Sequence, residues 1–156
     1  MDQHVIILSM SVFITVDIGG TQIRTAAYSH NRITPIQRNQ TETISGDEPV
    51  FDRLTRLIDS IWPAEKVDAI SVASAGPIDP KSGTIIDATN IPGWKDFPIS
   101  TKLTARYNIP AFLGNDANLA ALGEWKYGAG RGHNHLLYIT ISTGIGGGGD
   151  MRWSFA

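Results

Sequence analysis

Residues 12–18 read VFITVDI and run directly into Gly19-Gly20 and the alternating segment QIRTAAYS over 22–29. The first run is rich in β-branched and aromatic residues with almost no polar alternation, the pattern of a strand buried on nearly all sides. Gly19-Gly20 is expected to turn the chain, because glycine takes positive φ at no steric cost. Residues 22–29 then return as a second strand, with Ile23, Thr25, Ala27 and Ser29 facing one way and Arg24, Ala26 and Tyr28 the other. What a plain hairpin does not explain is a turn carrying Asp17, Thr21, Gln22 and Arg24.

The remaining order is that of a mixed sheet with flanking helices. A third strand is expected over 33–38, interrupted by Pro35 and therefore at a sheet edge. Asp47 and Pro49 precede a helix over 50–62, with the apolar stripe Phe51, Leu54, Leu57, Ile58 and Ile61, ended by Pro63. A buried strand over 67–73 leads into the loop SAGPIDPKSG, a short strand over 84–87, and the irregular stretch ATNIPGWKDFP. A helix over 99–107 starts near Pro98 or Ser100, and a strand over 111–113 leads into a helix over 115–127 that closes at GAGRG. Last comes a strand over 136–141, LLYITI, followed by STGIGGGG. An antiparallel meander combined with parallel crossovers predicts an α/β fold with its site at strand ends.

With 156 residues the chain is long enough for one domain with a sizeable core. Its net charge of −2 gives no electrostatic ground for a nucleic-acid or acidic-membrane partner. The absence of cysteine excludes disulfides, a thiol nucleophile and Cys-ligated zinc within these residues. The opening MDQHVIILSM has no basic lead, and its apolar stretch is too short for a signal core or a membrane span. A cytoplasmic protein is expected. Met10 stands just before the first strand, so residues 1–9 are expected to be an upstream extension from a mis-assigned start.

Three segments can carry chemistry, and a single sheet is expected to bring them to one edge. Asp116 lies where a strand meets a helix; the helix N-terminus favours its anionic form, which suits a base toward a substrate hydroxyl. Equally, Asn115 or Asp116 is a simple N-cap. STGIGGGG can cradle phosphate oxygens on backbone N–H groups or serve as a flexible linker, and it matches neither a Walker A loop nor a dinucleotide fingerprint. In DIGGTQIR, Asp17 can hold a metal-bound water while Thr21, Gln22 and Arg24 reach a phosphate; a hairpin with a polar turn is the alternative. His133 and His135 read as a solvated loop, Asp79 as a turn residue, and Trp62, Trp94 and Trp125 as packing.

Taken in order, DIGGTQIR, ASAGPIDPKSGTI, ATNIPGW, GNDANLAALGEWKYGAGRG and LLYITISTGIGGG resemble the ROK family of sugar kinases, closest to its glucokinase-like members, over about residues 12–148. The resemblance implies an actin-like, ribonuclease-H-like ATPase fold in which two α/β domains close on ATP and a hexose, with this chain as the N-terminal domain. It places the base at Asp116 and sugar contacts at Gly76, Asn90, Asn115 and Asp116. It places the ATP phosphates against Asp17, Gly19, Gly20, Thr21, Gln22 and Arg24, and against Thr143, Gly144, Gly146 and Gly147. Mg²⁺ is expected near Asp17, held through water.

The family's second half, with a Cys/His zinc site, further sugar contacts and most of the nucleotide-base pocket, has no counterpart in these residues. Residues 149–156 depart from the family pattern, as expected of a frameshift or an early stop. The isolated chain is therefore expected to be inactive and to expose apolar surface through which a homodimer can form. The alternatives are a non-catalytic sugar-binding module, a sugar-responsive regulator of the same family, and a kinase for an N-acetylhexosamine or fructose. The regulator needs a DNA-binding helix-turn-helix ahead of the domain, and only about eleven residues precede the first strand.

Overall fold

The computed structural model describes residues 11–41, 50–88, 91, 93–141 and 145–150. Their centre is a six-stranded mixed sheet. Strand β1 (Phe13–Ile18) runs antiparallel to β2 (Gln22–Ser29) and parallel to β5 (Ala69–Ser74), which is parallel in turn to β9 (Ala111–Asn115). Two short strands, β3 (Arg32–Ile33) and β4 (Gln37–Gln40), both pair with the outer side of β2. The single strand expected over 33–38 is thus two, because Pro35 has no N–H to continue the ladder; the edge position holds.

Side-chain alternation sorts the sheet into two faces. Ile14, Val16 and Ile18 of β1 align with Ile70 and Val72 of β5, Ile23 of β2 and Leu113 of β9, all buried on one face. Helices α1 (Val50–Ser60) and α2 (Ile99–Tyr107) supply Leu54, Ile58, Ile99 and Leu103, fully buried, to the same core. Each such side chain contributes roughly 1.5–3 kcal/mol by leaving water. Phe51, Leu57 and Ile61 of the predicted stripe pack at its margin, and the helix stops at Ser60. The expected cap at Asp47 and Pro49 lies outside the described residues. Pro98 precedes α2 without a side-chain cap, and Ser100 lies within the helix.

A strut ties the two helices together. Arg106 Nη2 donates to Asp59 Oδ2 at 2.8 Å, the Tyr107 hydroxyl lies 2.8 Å from Asp59 Oδ1 and 3.1 Å from the Thr55 carbonyl, and Trp62 stacks on the Tyr107 ring. Burial pushes the Tyr107 hydroxyl up to about 12.

Strands β6 (Ile78–Asp79), β7 (Thr84–Asp87) and β8 (Lys95–Phe97) form a small antiparallel sheet. Only β7 is expected from the sequence; β6 lies in a predicted loop and β8 in a stretch read as irregular. Strands of two or three residues are too short for alternation to reveal, and pairing with β7 creates them.

Helix α3 (Asp116–Tyr127) lies against the other face of the main sheet and also packs against β10 (Leu136–Ile141) and β11 (Ile145–Asp150), a separate two-stranded ribbon. This corrects two expectations. The glycine-rich segment is a strand from Ile145 on, because β10 supplies a complete ladder to a backbone with no side chains to place. Nor does one sheet carry all three loops: the chain leaves α3 beside the helix rather than in the plane of the sheet. Leu137, Ile139 and Ile141 point outward from the ribbon, 75%, 59% and 78% exposed. No helix among the described residues is long and apolar enough to cross a membrane.

Candidate functional site

Parallel pairing brings the C-terminal ends of β1, β5 and β9 level. Ile18, Ser74 and Asn115 form one cross-strand row, and Asp17, Ala73 and Gly114 the row before it. The residues that follow these ends therefore meet at one edge, as expected for the first two of the three loops.

On the β9 side, Asn115 serves as the N-cap of α3: its Oδ1 accepts from the Asn118 N–H at 3.2 Å. Its Nδ2 donates to the Gly76 carbonyl at 3.4 Å, so two predicted sugar-site residues are joined directly. Gly76 sits at φ +87°, and a Cβ there would lie 2.9 Å from the Asp87 carbonyl oxygen. Only glycine fits that bend. Asp116 is the first helical residue, with Oδ1 accepting from the Ala117 N–H at 2.8 Å. The capping role thus falls to Asn115, and the remaining oxygen of Asp116 is not committed by that bond. Gly114 has a tight contact of its own: a Cβ there would meet Leu119 at 2.8 Å. Glycine there leaves space that the Leu119 side chain of α3 occupies.

On the β1 side, Asp17 lies directly across from Arg24, with Arg24 Nη1 3.6 Å from Asp17 Oδ2. Both are about half exposed, at 52% for Arg24 and 45% for Asp17. Burial raises the Asp17 carboxyl above its ordinary value of 3.8; Arg24 opposes that shift, and the negative charge of Asp116 adds to it. Asp17 thus senses the charge of Asp116.

The turn between them departs from the expected mechanism. Neither Gly19 nor Gly20 has positive φ. Instead the Gly19 N–H donates to the Gln22 carbonyl at 2.9 Å, and a Cβ on Gly19 would lie 3.1 Å from that oxygen, so close approach is what calls for glycine. Fully buried Thr41 pins the turn, donating its hydroxyl to the Gly19 carbonyl and its N–H to the Thr21 carbonyl, both at 2.8 Å. Sequence reasoning missed Thr41, since nothing marks one threonine after an edge strand. Gly20 and Thr21 are exposed, and no described residue accepts a hydrogen bond from their N–H groups. Two uncommitted N–H groups beside a hydroxyl can receive an anion.

Of the remaining predicted residues, Asn90, Thr143 and Gly144 lie outside the described residues. Gly146 and Gly147 fall in β11, opposite Thr140 and Ile139. Asp79 is a turn residue as expected, accepting from the Lys81 N–H and the Ser82 hydroxyl, bonds that lower its carboxyl. His133 and His135 sit in an exposed loop after α3. Trp94 stacks on Phe97 with ring centroids 4.4 Å apart, and Trp125 Nε1 donates to the His133 carbonyl.

Residues 13–151 match the ROK family. The chain is 36% identical to a glucokinase of Thermotoga maritima over 136 residues, which is 86% of this chain and 43% of that protein. The crystal structure of a ROK family glucokinase from Streptomyces griseus in complex with glucose and AMPPNP superposes with a TM-score of 0.76 at 33% identity, covering 90% of this chain and 44% of that one. A ROK hexokinase from Thermus thermophilus superposes with a TM-score of 0.75 at 36% identity, covering 88% and 46%. The chain thus spans a little under half the length of these relatives, and its mixed α/β architecture is that of the actin-like ATPase fold.

Proposed function

The chain belongs to the ROK family, and from that premise we propose that it forms the N-terminal, sugar-binding half of an ATP-dependent hexose kinase of the glucokinase type. The observation that carries this reading is the convergence at one sheet edge of Asp116, the Asn115–Gly76 contact and Asp17.

In this reading Asn115 and Gly76 shape the sugar site together with Asn90, and the free oxygen of Asp116 takes the proton of the accepting hydroxyl. Gly20 and Thr21 offer N–H groups, and Thr21 a hydroxyl, to the phosphates, with Gln22 and Arg24 behind them and Gly19 setting the turn. Thr143, Gly144, Gly146 and Gly147 form the second phosphate segment. The donor set fits a hard divalent cation: Asp17 is a partly exposed carboxylate with a second carboxylate close enough to perturb it. Mg²⁺ held there, through water, would neutralise phosphate charge. Phosphoryl transfer needs positioning and charge neutralisation more than covalent chemistry, and these residues supply positioning.

The domain reading is residues 12–148 as this half, preceded by an extension over 1–11 and followed by a divergent tail. The partners are a hexose and ATP in the cytoplasm, and the exposed Leu137, Ile139 and Ile141 face suits either a second domain or a second copy. Glucose is favoured over an N-acetylhexosamine or fructose by the glucokinase relatives.

The test pairs binding with turnover. Glucose binding to the 156-residue chain, followed by ligand-observed NMR, is expected to survive Asp116→Asn and to be lost in Asn115→Ala. Phosphoryl transfer by the longer polypeptide is expected to vanish with Asp116→Asn. Full turnover in that variant would rule Asp116 out as the base, and substantial turnover by the isolated 156 residues would show that no second half is needed.

A further inference from the structure

The register across β4, β2 and β1 sets Arg38 opposite Arg24, and Arg24 opposite Asp17. Directly opposed residues share a face, so the three side chains form one row, with neighbouring strands about 4.8 Å apart. The row carries a carboxylate at the strand end that faces Asp116, then two guanidiniums leading away across the exposed edge. Both arginines are exposed, and among the described residues nothing hydrogen-bonds or ion-pairs with the Arg38 side chain.

Two features of this row ask for an explanation. Like charges directly opposite one another on paired strands are unfavourable. Yet β4 reads QRNQ and places its only charged residue against Arg24. Blunting an edge strand with charge is an ordinary use of arginine, but it does not call for that register. Arg24, in turn, is drawn toward Asp17 on one side and repelled by Arg38 on the other, which accounts for its resting contact with Asp17. An anion lying between the guanidiniums reverses that preference: it turns a repulsive pair into a two-armed clamp and draws Arg24 away from the carboxylate. Guanidinium groups suit this because they present several donors in a fixed fork to phosphate oxygens.

We infer that Arg24 and Arg38 form an oxyanion subsite for a phosphate-class ligand beside the Asp17 end of the sheet, and that Arg24 exchanges between Asp17 and this anion, freeing the Asp17 carboxylate for a cation when the anion is bound. The inference rests on the reading that Asp17 faces the phosphate donor. It goes further in assigning Arg38 to the site and in making Arg24 a gate between anion and cation rather than a fixed phosphate contact.

The experiment is isothermal titration of the 156-residue chain with pyrophosphate in metal-free buffer, and separately with Mn²⁺ in the absence of nucleotide. Wild type is compared with Arg24→Gln, Arg38→Gln and Arg38→Lys. Removing either guanidinium is expected to weaken pyrophosphate binding about ten-fold, and Arg38→Lys is expected to retain part of it. Mn²⁺ is expected to bind several-fold tighter in Arg24→Gln, whose Asp17 has lost its competitor, and to change in the same direction but less in Arg38→Gln. Both positions are exposed, and matching thermal melts show that the variants fold alike. Pyrophosphate binding in Arg38→Gln equal to wild type, or none in wild type, overturns the subsite. Mn²⁺ binding unaffected by Arg24→Gln overturns the exchange. Titration with Mg²⁺ and AMPPNP reports on the parent reading separately: loss of nucleotide binding in Asp17→Asn supports that reading whatever the arginines do.

Discussion

Replacing Gly76 by alanine tests the argument that this loop is held in one conformation by two independent constraints. The first is conformational. At φ +87° an alanine occupies left-handed backbone space, which costs about 1–2 kcal/mol. The second is steric, because the new Cβ would lie 2.9 Å from the Asp87 carbonyl oxygen. That oxygen is backbone and has little room to retreat: the Ile86 and Asp87 N–H groups are bonded to the Pro77 carbonyl, one residue beyond the substitution. Forcing the contact costs about 1–3 kcal/mol more, for a total of about 2–5 kcal/mol. Gly132→Ala is the matched control, since Gly132 has φ +80° and nothing within 4 Å of its ideal Cβ. It should cost the conformational part alone. Urea unfolding with unchanged m-values measures both. The difference between the two variants isolates the contact with Asp87. If Gly76→Ala costs no more than Gly132→Ala, the steric argument is wrong; if both cost nothing, so is the conformational one. Because the Asn115 side chain donates to the Gly76 carbonyl, Gly76→Ala should also weaken glucose binding, whereas Gly132→Ala should not.

Three further outcomes follow from the same geometry. Asn115→Ala should lower stability by about 1 kcal/mol through loss of the α3 cap, while Asn115→Ser restores the cap but not the bond to Gly76, so unfolding and glucose binding should separate. Tyr107 holds its proton to about 12 when folded, against an ordinary 10.0, so the unfolded chain ionises first as pH rises. Stability should therefore fall between pH 10 and 12, and comparing unfolding midpoints of wild type and Tyr107→Phe should show that part of the fall removed. The outward face of the ribbon is expected to drive self-association, which Ile139→Lys should reduce in sedimentation velocity without changing the melting temperature; a strict monomer, or association unaltered by the substitution, would refute this.

Long, uniformly apolar or strongly periodic segments were legible in the sequence. The strand at 13–18, the helix stripe built on Leu54 and Ile58, and the strand-to-helix junction at Asn115 and Asp116 lie where periodicity and turn chemistry place them. What escaped is what tertiary pairing creates. Two residues at 78–79 and three at 95–97 become strands only because β7 lies between them, and a run of glycines becomes a strand only because β10 pairs with it. The site divides in the same way. Asp17, Asn115 and Asp116 were visible as residue types at strand ends, whereas Gly76 came only through the family resemblance, and the bond between Asn115 and Gly76 spans 39 positions and has no local signature. Thr41 and Arg38 were invisible for a related reason: their importance lies in what the register sets them against.

Several departures from local rules meet at one end of the sheet. Asp17 is partly buried with a second carboxylate near it and a single loosely paired guanidinium to offset them. Gly76 is bent beyond what other residues tolerate, and a side chain on Gly114 would have to displace Leu119. None of these arrangements improves the core, which is built on the opposite face by aliphatic residues in regular alternation. Partly buried, unevenly paired charge at aligned strand ends does nothing for the core and points to a role other than stability. Asp17, Asp116, Arg24 and Arg38 are neutral as a set, but the charge is divided, with carboxylates at the strand ends and guanidiniums toward the sheet edge. A divalent cation with a phosphate anion answers both at once, which is why the same small region reads as a site from its electrostatics as well as from its residues.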